Sequence, residues 1–248
     1  MVNPMFNDLR NNDEVLTRDN VATYRGITIK TLIFMAITIV AALGFAAVMW
    51  KQMLAGRWPN LIAATFVFSI ITFISARIGR TNPRASFGAG VIYAVCEGGI
   101  LGMISLIGEI FYPGIALIAC IATVVVFFVM LAVFASGIIR NKTKFVSFGI
   151  TLGASTIVLL LVTSLLAIFV PSIAASLPIL VLTEVLVTIY ACVCLLMNFI
   201  EATTLVQAGF TKDYEWSCAF GLMVSIILIY IQILRILMMI FELTGRNN

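Results

Sequence analysis

Seven nearly unbroken apolar stretches divide the chain, at about 30–50, 60–77, 89–111, 114–139, 145–170, 178–208 and 217–242. Each is near the ~20 residues that an α-helix needs to cross ~30 Å of hydrocarbon. Turn residues fall between them: Arg57-Trp58-Pro59, Thr81-Asn82-Pro83, Tyr112-Pro113-Gly114, Asn141-Lys142-Thr143, and the run from Pro171 to Pro178. The sixth stretch is the least sharply ended, because polar residues enter it from Asn198 onward. Residues 1–27 are polar and of mixed charge, and they lack the short apolar core and small-residue cleavage site of a signal peptide. The pattern predicts a cytosolic tail over 1–27, with a short interfacial helix, followed by a seven-helix transmembrane domain over 28–248.

Composition makes the bilayer the only adequate solvent. Of the 248 residues, 62% are hydrophobic and 10% charged, against about 45–50% and about 25% in soluble domains. A soluble domain of this size leaves too much surface in water to hide so much apolar side chain. The fold class read from the chain is therefore an all-α integral membrane protein. With the N-terminus inside, the inner side carries eleven Lys and Arg and the outer side three, Lys51, Arg57 and Arg246. That asymmetry predicts a cytosolic N-terminus and, with seven spans, an outer C-terminus. No soluble catalytic module is expected.

The net charge of +4 is spread thinly over the loops, which excludes a nucleic-acid surface. Histidine is absent, which removes the commonest metal ligand and proton switch. The five cysteines lie in or beside apolar segments and read as small buried hydrophobes. Neither a metal nor a cofactor is expected, and the partner common to every reading is the lipid bilayer.

Polar residues inside the spans are the informative exceptions. Glu97 lies about nine residues into the third span, roughly 14 Å along a helix, and a charge near the bilayer centre costs at least ~2.5–3.5 kcal/mol. Either Glu97 lines a wet cavity or it meets a partner such as Arg235, itself able to snorkel to the interface. Glu109 and Glu184, near the outer ends of their spans, read as interfacial acids or as a pair that attracts cations. Gln232 stands three residues before Arg235 on one helical face, and an amide at that depth is expected to bond across to another helix. Gly98 with Gly102, and Gly149 with Gly153, are small residues at the four-residue spacing that lets membrane helices approach closely.

No nucleophile and base can be assembled. Without histidine there is no ordinary triad, and no lysine lies deep in a span. The aspartates are Asp8, Asp13, Asp19 and Asp213, all outside the spans, so intramembrane aspartyl chemistry is excluded as well. The chain does not read as an enzyme. A secondary transporter finds no support either, because no inverted repeat or paired broken helices are visible.

The run 93-YAVCEGGILGMIS-105 resembles the tyrosine, glutamate-glycine, leucine-glycine and serine signature of the Bax inhibitor-1 family, in its bacterial YccA-like branch. The stretches 3-NPMFN-7, 109-EIFYPGIALIACIAT-123, 136-SGIIRNKTKF-145, 206-VQAGFTKDYEW-216, 219-AFGL-222 and 230-YIQILRIL-237 resemble other parts of that branch, in the same order. The resemblance implies seven helices, six of them around a central seventh. It also implies passive calcium leak across a membrane, here the bacterial plasma membrane, and a link to a membrane-bound ATP-dependent protease.

The family's gate is a pair of carboxylates that share a proton, one in the sixth helix and one in the seventh. The resemblance places them at Asn198 and Gln232, with a further acid at Ile200, so all three positions are non-ionisable here. Two amides can satisfy each other at any pH and bring no negative charge to a cation path. Glu201, one turn past Asn198, is an interfacial carboxylate or a substitute for the lost charge. Two functions follow as expectations. One is a calcium or cation leak that lacks the proton-controlled latch, with Glu97, Asn198, Glu201, Gln232 and Arg235 along the ion path. The other is a non-conducting regulator that binds a membrane protease.

Overall fold

The computed structural model describes residues 21–56, 58–139, 141–169 and 177–246. Among the described residues seven α-helices form: α1 Tyr24–Leu54, α2 Trp58–Thr81, α3 Ser86–Phe111, α4 Ile115–Ala135, α5 Lys142–Phe169, α6 Leu177–Gln207 and α7 Asp213–Arg246. A single 3₁₀ turn, Pro83–Ala85, links α2 to α3. All seven contain a segment long and apolar enough to cross a membrane, and the chain is a multi-pass membrane protein in contact with lipid. Most of the expected N-terminal tail (1–20) and most of the break before α6 (170–176) lie outside the described residues.

Local caps set the start of α1 and the end of α6. α1 starts at Tyr24, where the Thr23 hydroxyl accepts the Gly26 N–H at 3.0 Å. α6 continues through Asn198 and Glu201 to Gln207 and then stops at Gly209, whose φ of 72° suits glycine. Gly209 N–H donates to the Val206 carbonyl and Phe210 N–H to that of Leu205, the paired bonds of a Schellman turn. In α7 no residue from Tyr214 to Leu234 is exposed, the longest such run among the described residues. That is the burial an enclosed helix shows.

By contact the chain forms two compact units. The first comprises residues up to Gly102 with Glu201–Met223, and the second comprises Met103–Ile200 with Val224 onward. In the first, Phe34 is fully buried and meets Trp216 and Phe220 edge-on, with ring centres 5.4 and 6.5 Å away. Gly90 makes the space: a Cβ there would fall 2.4 Å from the Phe34 ring. Gly98 and Gly102 bring α3 against the α1 backbone, since a Cβ would lie 2.7 Å from the Thr38 carbonyl and 2.4 Å from that of Ala42 respectively.

In the second unit, Ile115, Ala119 and Leu234 form a buried centre flanked by Ile104, Tyr230, Ile233 and Leu237. Gly149 and Gly153 of α5 receive the Met197 and Tyr190 side chains of α6. Glu109 caps α4, its two carboxylate oxygens accepting the N–H groups of Gly114 at 2.6 Å and Ala116 at 3.3 Å. Much of the exposed surface of both units is apolar, with Leu32, Val40 and Phe73 exposed in one and Leu117, Phe128 and Ile150 in the other. Hydrocarbon is the matching solvent for it.

Candidate functional site: intramembrane polar groups

In the first unit, polar side chains from α2, α3, α6 and α7 come together. Glu97 is half-buried on α3 and lies beside Thr72 of α2, which is itself buried and donates its hydroxyl to the Ser69 carbonyl at 3.0 Å. Tyr93, one turn before Glu97, feels the charges of both Glu97 and Arg80. Arg80, in the last turn of α2, also acts electrostatically on Glu201, and Glu201 on the buried Cys218 of α7. Glu201 itself is exposed. The group thus contains two carboxylates, each with a polar or charged neighbour, on helices whose glycines allow close approach.

In the second unit the polar contacts join α6 to α7. The buried Asn198 amide donates to the buried Ser225 hydroxyl. Arg235 pairs with Glu184 at 3.4 Å, with the Glu184 side chain largely buried and that of Arg235 about half exposed. Glu184 Oε2 and Gln232 Oε1 are buried and have no hydrogen-bond partner among the described residues. Ser105 and Tyr230 share a hydrogen bond of 2.8 Å.

The sequence left two pairings open. Arg235 takes Glu184 as its counter-charge, and Glu97 lies beside Thr72. Asn198 bonds Ser225, seven residues before Gln232 and so ~10 Å away along the helix. The residues facing each other are set by helix register and rotation, which packing decides. Glu109 spends its carboxylate on the α4 N-terminus, where the helix dipole also favours it.

Sequence reasoning did not single out Thr72, Arg80 or Ser225. Arg80 stood only as a loop charge, and hydroxyl residues are too frequent in these helices to mark a site. Among the described residues, no three His, Cys, Asp or Glu side chains gather to hold a metal ion. The available chemistry is weak, non-covalent attraction of cations by isolated carboxylates, and hydrogen bonding between neutral groups.

No curated protein and no solved structure matches the chain. The family model for Bax inhibitor 1 like proteins does, over residues 3–242. That span takes in six of the described helices whole and α7 as far as Glu242, with the glycine-lined α1–α3 contact and both sets of polar groups. A seven-helix membrane protein matched over this length belongs to the Bax inhibitor 1 like family.

Proposed function

We propose that this protein is a passive leak for calcium or another small cation across a bacterial plasma membrane, with its N-terminus in the cytosol. The observation that carries the reading is Glu97, a half-buried acid inside a span, set beside the Thr72 hydroxyl and in no ion pair among the described residues. A carboxylate at that depth with no ion pair among the described residues is suited to a transient cation. Glu201 with Arg80 would stand nearer the cytosol and tune entry.

The Asn198–Ser225 contact supports a second part of the proposal, that the leak lacks a proton-controlled latch. Neither group ionises in the physiological range, so the contact between α6 and α7 survives from acid to neutral pH. Calcium flux into liposomes tests both parts. Wild-type protein should conduct, Glu97→Gln should lower the flux at least tenfold, and the flux that remains in Glu97→Gln should change less than twofold between pH 6 and 8. Absence of flux in both proteins would instead favour a non-conducting regulator that binds a membrane-bound ATP-dependent protease.

A further inference from the structure

Two segments 192 positions apart are fastened together in the first unit. Val21 pairs antiparallel with Thr211, and Ala22 N–H donates to the Phe210 carbonyl at 2.7 Å. Thr23 N–H donates to Glu215 Oε1 at 2.7 Å, and its hydroxyl donates to the same oxygen at 3.2 Å. Lys30 Nζ, two turns into α1, reaches Glu215 Oε2 at 3.0 Å and the Lys212 carbonyl at 3.0 Å. The same ammonium lies 4.6 Å from the centre of the Trp216 ring.

Glu215 is the knot of this arrangement. It sits in the first turn of α7, where the helix dipole alone would favour an acid, yet both oxygens are engaged by residues of the N-terminal segment and α1. Its side chain is 4% exposed and that of Lys30 16%, so the pair is shielded from screening water. Gly26 makes the room: a Cβ there would fall 2.3 Å from the carboxylate oxygens. Val21 to Thr23 are not helical and lead directly into α1.

We propose that residues 21–30 are a strap that holds the α6–α7 turn and the first turns of α7, with Lys30 and Glu215 as its catch. Only a few bonds make the attachment, so it can open locally at far less cost than the whole fold. Tension on the chain preceding Val21, as from a protein bound there, would peel the backbone bridge and then the catch. Beyond it the aromatic contacts continue inward. Trp216 rests on Phe34 and Phe87, and Phe220 on Phe34 and Tyr93, one turn from Glu97. Control of cation flux by the strap rests on the function proposed above; the strap itself does not.

The test uses Cys218, buried one turn past Glu215, as a reporter in the full-length chain, with Cys96, Cys120, Cys192 and Cys194 replaced by alanine. In liposomes treated with N-ethylmaleimide, mass spectrometry follows labelling of the Cys218 peptide. Lys30→Met and Glu215→Gln should each raise the labelling rate about tenfold, and the double variant no further than either single one. Gly26→Ala should act likewise without removing a charge, and since alanine favours helix over glycine, helix loss is not its cause. Unchanged labelling in all of these overturns the proposal.

A second form needs no destabilising change. Bridge partners lie close enough for a disulfide, so Val21→Cys with Thr211→Cys can be oxidised to lock the strap. Labelling of Cys218 should then fall below that of the reduced form, and equal rates overturn the proposal. Faster labelling on release of the catch, with no calcium flux in any form, would uphold the strap and remove the leak.

Discussion

Asn198 donates its side-chain amide to the Ser225 hydroxyl, and this neutral pair joins α6 to α7 where the family's resemblance places an acid on α6. The register follows directly: the α7 position facing Asn198 is 225, two turns before Gln232.

A pH-responsive contact can therefore be built at a defined place. Asn198→Asp with Ser225→Asp puts two carboxyls side by side, where they share a proton and titrate as a pair. As pH rises the second proton leaves and two like charges push α6 from α7. In a Glu97→Gln background, calcium flux in liposomes should increase at least tenfold from pH 6 to 8. Asn198→Asp with Gln232→Glu should show no such rise, and equal behaviour of the two double variants would place the facing position elsewhere.

The two amides should differ in their contribution to stability. Gln232 carries a buried oxygen without a hydrogen-bond partner among the described residues, so Gln232→Leu removes a desolvation cost of about 1–3 kcal/mol together with whatever the amide contributes. Thermal unfolding in detergent should show a neutral or raised Tm. Asn198→Leu strips Ser225 of its buried partner and should lower Tm, by an amount matching about 1 kcal/mol.

Backbone contact between α1 and α3 makes one glycine essential and leaves another free. Gly102→Ala puts a Cβ 2.4 Å from the Ala42 carbonyl, and backbone cannot yield cheaply. A loss of about 1–3 kcal/mol is expected. Gly44→Ala meets nothing within 4 Å and should be neutral or stabilising by up to about 1 kcal/mol. Denaturant or thermal midpoints of the two variants give the comparison directly.

The Arg235–Glu184 pair should behave as a unit. Arg235→Leu leaves a largely buried carboxylate without its counter-charge, and a loss of about 1–2 kcal/mol is expected because the arginine is half exposed. Adding Glu184→Gln should recover most of it. A double-mutant cycle with no coupling would mean that the pair contributes nothing to stability.

The seven spans were legible from hydropathy because the bilayer imposes one length and one polarity on every crossing segment. The helix ends were less so. Thr23 starts α1 ahead of its apolar run, and Gly209 rather than the polar residues after Asn198 ends the sixth helix, since caps act over single residues. Glu97 stood out by its depth alone. Its neighbour Thr72, the Asn198–Ser225 bond and the Arg235–Glu184 pair did not, because each depends on how a helix is rotated against its neighbour. The Lys30–Glu215 catch left no local mark: each residue looked like an ordinary charge at the end of a span, and only the fold brings them together across 185 positions.

The carboxylate of Glu109 holds the first amides of α4 from the last turn of α3, across a reversal of only a few residues. A hinge stiffened in this way transmits motion instead of absorbing it. A tilt of the last turn of α3 must then either take the first turn of α4 with it or break these two hydrogen bonds.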